Sequence, residues 1–146
     1  EYLTYCKLAY LLNIWVLVEE LFRDIVSHLG LPEKEDPSIK KVIKSCLAVC
    51  KLNRWVDFLT ILRLMRNSFH NNGVHTSKGE AGTYTWNGES TTFEFGKAIS
   101  GYFVSEKFLV VEVQNSLISL LNDLFICDKL KAADHILRRY CPDQIS

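Results

Sequence analysis

Read at spacings of three and four, Leu8, Leu11, Leu12, Trp15, Val18, Phe22, Ile25 and Leu29 fall on one side of a single long helix, which Gly30 and Pro32 are placed to end. Ile14, Leu17 and Leu21 mark a second apolar face on it. A helix apolar on two sides is either central to a bundle or shared with another subunit. After a connector from Leu31 to Glu35, Asp36 and Pro37 read as an N-cap with proline at the first helical position, and Ile39, Val42, Ile43, Cys46 and Val49 give a second helix its stripe. Asn53 is the expected cap of a third helix, with Trp55, Phe58, Leu62, Met65 and Phe69 as its core side. Asn71, Asn72 and Gly73 tolerate the left-handed turn that ends a helix.

Beyond Gly73 the helical period stops. The stretch from Tyr84 to Phe95 alternates, and Asn87-Gly88 is a two-residue hairpin turn that sets Tyr84 opposite Thr91 and Gly82 opposite Phe93. Tyr84, Trp86, Phe93 and Phe95 then share one side, and an isolated hairpin is marginal, so that side is expected to lie on the helices. Helical spacing returns near Ser105 with Val110, Val113, Leu117, Leu120, Leu121 and Leu124; Asp128 is placed to cap a last helix carrying Leu130, Ala133, Leu137 and Tyr140, stopped by Pro142. The expected fold is an all-α bundle of about five helices with one inserted β-hairpin, a single domain over residues 1–146.

The third helix also carries a polar row. Arg63, Arg66, Asn67 and His70 lie at i, i+3, i+4 and i+7, so two cations, an amide and an imidazole share one face beside the core stripe, continued upstream by Val56 and Leu59. A polar row flanked by apolar positions suggests a groove or a subunit seam. Arginine forks bind phosphate oxygens bidentately, and histidine exchanges its proton near neutral pH. The set suits cleavage of a phosphodiester, above all RNA, whose own 2′-hydroxyl attacks the neighbouring phosphorus once a base takes its proton; the step needs no metal. His70 is then the general base or acid, an arginine stabilises charge on the phosphoryl oxygens, and Asn67 orients the imidazole or the phosphate.

Composition removes alternatives. With 48% hydrophobic residues the chain has ample material for a core and is not a disordered segment. Seventeen basic residues balance seventeen acidic ones, so any nucleic-acid contact is local rather than driven by a global field. The apolar run from Leu8 to Val18 is too short to span a bilayer, no signal peptide is apparent, and no membrane partner is expected. Five cysteines without paired CxxC spacing speak against a disulfide framework or zinc site and for a reducing, cytoplasmic compartment; Cys46 and Cys50 read as small core residues. No glycine-rich phosphate loop is present, and neither cofactor nor metal is expected.

The run Arg66-Asn67-Ser68-Phe69-His70-Asn71-Asn72-Gly73, late in a helix of an α-helical domain, resembles the Arg-polar-x-x-x-His signature of the HEPN (higher eukaryotes and prokaryotes nucleotide-binding) superfamily. Family members usually place four to six residues between Arg and His, with Asn, Asp or His straight after the Arg. Here Arg66-Asn67 keeps that pair with three residues before His70, whereas Arg63 stands six residues before it and is followed by Leu64. The resemblance implies a HEPN-like bundle, a homodimer with two Arg/His motifs meeting in one cleft, and often an endoribonuclease of a toxin-antitoxin, phage-defence or RNA-processing system, with RNA as substrate and an antitoxin or nucleotidyltransferase as partner. Many relatives are inactive dimerisation or partner-binding modules, which is the rival expectation.

A plainer role fits the same residues. A helix C-terminus favours cations in its last turn, so Arg66 and His70 also suit simple compensation of the macrodipole. His75 reads as a loop residue in preference to a second imidazole at the cleft, Glu19 and Glu20 as partners of Arg23 or of a neighbouring helix in preference to catalytic acids, and Lys40, Lys41 and Lys44 as a solvated face in preference to a phosphate-contacting strip.

Overall fold

The computed structural model describes residues 2–31 and 37–133, together with Ile136 and Arg139. The protein is mostly helical, with one small two-stranded antiparallel sheet. In order come α1 (Tyr2–Leu29), α2 (Ile39–Val49), a 3₁₀ turn at Asn53–Trp55, α3 (Val56–His70), β1 (Gly82–Trp86), β2 (Glu89–Phe93), a π-helical segment (Lys107–Glu112), α4 (Val113–Ile126) and a 3₁₀ stretch (Asp128–Ala133). The chain forms two compact units, one of Glu1–Trp15 with Asp57–Asn115 and the other of Val16–Val56 with Ser116–Ser146.

Three helices end by the same device. At α1, α2 and α3 a residue with positive φ (Gly30, +60°; Lys51, +57°; Asn72, +56°) turns the chain, and the next amide closes a six-residue ring onto the last turn: Leu31 to the Val26 carbonyl, Leu52 to Leu47, Gly73 to Ser68. Carbonyls that would otherwise be left without a partner are thereby satisfied. Lys51 in this conformation carries the steric cost that glycine avoids. The expected stops at Gly30 and at Asn71 to Gly73 are thus observed.

The starts differ from expectation. Helix α2 begins at Ile39 with Ser38 in the N-cap position, and Pro37 precedes the helix instead of opening it; Asp36 lies outside the described residues. Asn53 opens a 3₁₀ turn that runs into α3. Near Ser105 the expected helix does start, with the Ser105 hydroxyl accepting the Phe108 amide at 3.2 Å, but its first stretch is π-helical. The wider turn places Phe108 and Val113, five residues apart, both inside, and leaves Val110, expected in the core, 42% exposed. The last expected helix is a 3₁₀ stretch where it is described; Leu137, Tyr140 and Pro142 lie outside the described residues.

In the first unit α3 is buried almost all round: Phe58, Leu59, Ile61, Leu62, Leu64 and Met65 are all at most 1% exposed. Each such side chain stabilises the fold by roughly 1.5–3 kcal/mol relative to an exposed one. The hairpin has the expected register, Gly82 with Phe93 and Tyr84 with Thr91, and Asn87 (φ +50°) and Gly88 (φ +81°) form its turn. Trp86 stacks on Phe58 of α3 at 5.0 Å between centroids, and Tyr84 meets the buried Phe93 edge-on at 5.7 Å. Phe95 departs from this aromatic side: it follows the strand, is half exposed, and lies under the Lys78 ammonium.

In the second unit Phe22, Ile25, Ile43, Cys46, Leu47 and Leu124 form part of the core, and Asp123 accepts hydrogen bonds from Arg54 and from the Trp55 indole (2.6 Å). Glu19 pairs with Arg23 at 3.0 Å, and Lys40, Lys41 and Lys44 are exposed, as expected. Burial pushes the Cys46 and Cys50 thiols up to about 12, the neighbouring Cys50 adding to the first and Cys127 to the second. Lys107–Ile126, and not the Leu8 to Val18 run, has the length and apolar composition of a membrane-crossing helix; its Phe108, Leu109, Val113, Leu120 and Leu124 are buried within the protein.

Two outcomes follow from this packing. Trp86→Ala is expected to lower unfolding free energy by about 2 kcal/mol or more in urea titration, because the ring anchors the hairpin on α3; a change within about 0.5 kcal/mol would detach the hairpin from the core. Alkylation of the native protein at pH 8 is expected to label the exposed Cys6 well before Cys46 and Cys50, whose thiolate populations are too small to react.

Candidate functional site

At its C-terminal end α3 emerges from the core on one side, while Ser68 stays buried. Leu64 and Met65 are fully buried, Arg66 and Asn67 are half-buried, and His70 is exposed. The Asn72–Gly73 reversal then sends the chain back alongside this turn. It is held there by a short antiparallel ladder: Val74 bridges Ala98, the His75 amide donates to the Lys97 carbonyl (3.0 Å), and the Gly96 amide donates to the His75 carbonyl (2.8 Å). The Asn71 amide group donates to the Asn67 carbonyl (2.8 Å) and to the Thr76 hydroxyl (3.2 Å), joining the two sides.

Between them lies a cleft of about 410 Å³, lined by Leu64, Arg66, Asn67, His70, Asn71, His75, Thr76 and Ser77. Three of the four residues of the polar row, Arg66, Asn67 and His70, therefore meet in one concavity. Among the described residues the lining holds one permanent cation, two imidazoles, two amides and two hydroxyls, and no carboxylate. Arg66 donates to the Asn67 side-chain oxygen at 3.1 Å, which steadies the guanidinium without neutralising it, and no carboxylate pairs with it among the described residues.

Arg63 stands apart. It is 8% exposed, is not among the cleft-lining residues, and forms a two-pronged ion pair with Glu80, one arm of which measures 3.0 Å. Glu80 also accepts from Ser77 (3.3 Å), and its carbonyl accepts from the Tyr84 hydroxyl (3.0 Å). Of the two arginines in the row, the one followed by Asn67 lies in the cleft and the other is bound to a carboxylate. The upstream continuation of the row also differs: Leu59 is buried in the core and Val56 is half-buried.

His75 is the residue that pattern reading undervalued. Its backbone is in a loop, as expected, but the residue is 1% exposed, is among those lining the cleft, and its ring meets Phe93 edge-on at 5.5 Å. Its Nε2 has no hydrogen-bond partner among the described residues. The available signal was positional: a left-handed stop two residues after His70 reverses the chain and returns the next few residues to the helix end. No group of three or more metal-ligating side chains occurs among the described residues.

Comparison with protein-family models, with curated proteins and with solved structures gives no match for this chain.

If Arg63 serves to hold Glu80, Arg63→Met alone is expected to cost about 3 kcal/mol or more, because it strands a largely buried carboxylate. The double variant Arg63→Met/Glu80→Leu should recover most of that loss. Chemical denaturation of the two variants checks this, and equal destabilisation of both would mean that the charge pair is not what the site requires.

Proposed function

We propose that this chain is a HEPN-like domain acting as a metal-independent endoribonuclease through Arg66, Asn67 and His70. The observation that carries the reading is a cleft in which a guanidinium, an amide and an imidazole converge with no carboxylate among the described residues that line it. Such a lining attracts an anion, and the planar fork of Arg66 matches two oxygens of a phosphodiester. His70, exposed at the mouth, is within the cleft that a phosphate would occupy. Arg63, with its charge already met by Glu80, is a positioning residue in this reading.

The chemistry follows from the substrate. The 2′-oxygen of RNA attacks the adjacent phosphorus as its proton leaves; the new O2′–P bond forms while the P–O5′ bond breaks, and the 5′-oxygen takes up a proton. The products are a 2′,3′-cyclic phosphate and a 5′-hydroxyl. Because the nucleophile is internal to the substrate, the protein's task is to orient it, stabilise the phosphoryl charge and move two protons. The resemblance of the Arg66 to Gly73 run also supports assignment to a toxin-antitoxin or defence system in the cytoplasm, with an antitoxin or nucleotidyltransferase as partner. A homodimer is part of the reading, supported by Val16 and Leu17 on α1, each more than half exposed.

His70→Ala and Arg66→Ala are each expected to reduce cleavage of a mixed RNA pool by about 10²-fold or more while leaving the melting temperature close to that of the parent protein. Cleavage should persist in chelator and yield cyclic-phosphate ends. If both substitutions instead lower stability by about 0.3–1 kcal/mol and the parent protein leaves RNA intact, the two cations serve only the helix terminus, and the domain is a dimerisation or partner-binding module.

A further inference from the structure

We infer that His75 is the second proton carrier of the cleft, so that one chain supplies both imidazoles for the two proton transfers. This rests on the ribonuclease reading and adds to it a residue that the Arg-Asn-His row does not contain. In an in-line displacement the attacking 2′-oxygen and the departing 5′-oxygen lie on opposite sides of phosphorus, so a single imidazole cannot reach both ends in one step. Among the described side chains lining the cleft, the two imidazoles of His70 and His75 are of the type suited to general acid–base work, whereas guanidinium, amide and hydroxyl groups are not.

Three further observations favour His75 over a packing role. Its Nε2 is buried with no hydrogen-bond partner among the described residues, and leaving a buried polar atom unpaired costs a fold roughly 1–3 kcal/mol, which a ligand oxygen at that atom would offset. The ring is held on one side by the edge of Phe93, and its backbone by the bonds to Lys97 and Gly96, so it is oriented before any ligand arrives. It also stands across the chain reversal from His70, on the returning segment, so the two histidines that line the cleft have separate supports.

In the step, one imidazole accepts the 2′-hydroxyl proton as O2′ bonds to phosphorus; the other, protonated, gives its proton to O5′ as the P–O5′ bond breaks. The two are then left with exchanged protonation states, and solvent restores them.

The test uses two substrates, an RNA dinucleotide and its analogue with sulfur in place of the bridging 5′-oxygen, whose thiolate leaves without being protonated. His75→Gln is expected to slow the oxygen substrate by about 10²- to 10⁴-fold. The sulfur substrate should return the rate to near that of the parent for one of His75→Gln and His70→Ala and not for the other, identifying acid and base. Rescue of neither, or a His75→Gln protein as fast as the parent, overturns the proposal; if cleavage still depends on Arg66 and His70, the ribonuclease reading survives it. A parent protein that cleaves neither substrate removes both. Should His75→Gln fail to fold, titration of the parent protein with adenosine 3′-monophosphate decides: the side-chain nitrogen resonances of His70 and His75 should move along one isotherm, and a His75 signal unmoved at saturation of His70 overturns the pairing.

Discussion

The cleft depends on a guanidinium that has left water. Arg63 faces inward from a helix buried on nearly all sides, and burying a lone cation there is prohibitive unless a partner follows it. Glu80 is that partner, and bringing it in fixes the path of the chain that carries it: Ser77 and Tyr84 bond to the same residue, and Trp86 stacks on Phe58. The charge pair and the aromatic stack together set the hairpin arm against α3, and the arm carries the Thr76 and Ser77 side of the cleft.

Much of this was legible in the residues. Asn72 and Gly73 announced a left-handed stop, Asn87-Gly88 fixed both the turn and the strand register, and of the Trp55 to Phe69 stripe Trp55, Phe58, Leu62 and Met65 are buried while Phe69 is half-buried. These features are encoded locally, by backbone preference or by period. What period could not reveal was long-range. Arg63 looked like one more member of a polar row because its partner lies seventeen residues on, at the end of a short 3₁₀ turn (Lys78–Glu80) that no hydrophobic period announces. Spacing places residues on a helix face but does not say which of them a later segment will neutralise. The grouping of Arg66, Asn67 and His70 was readable from i, i+1 and i+4; the arrival of His75 was not, because it needs the reversal and the pairing with residues 96–98 together.

The segment before α4 shows the same limit from another direction. A helical wheel drawn at 3.6 residues per turn carries Val110 into the core, whereas the π-helical winding of Lys107–Glu112 accommodates one residue more per turn and turns Val110 and Val111 to the outside. Tyr102, Phe103 and Phe108 cluster beside it, with Phe103 and Phe108 centroids 4.7 Å apart. Once those rings are placed, the winding that keeps Phe108 and Val113 inside is the one that fits.

Every described residue lining the cleft lies between Leu64 and Ser77. Catalytic constellations are more often gathered from distant parts of a chain, and their assembly then waits on the closure of large loops. Here the lining is local in sequence, and the longer closures are those that hold it in place, Arg63 to Glu80 and His75 to the segment 96–98. The arrangement is also heritable as a unit. A single recombination event that carried residues 63–98 would bring the lining into another helical scaffold together with Glu80, which meets Arg63, and the segment that pairs with His75.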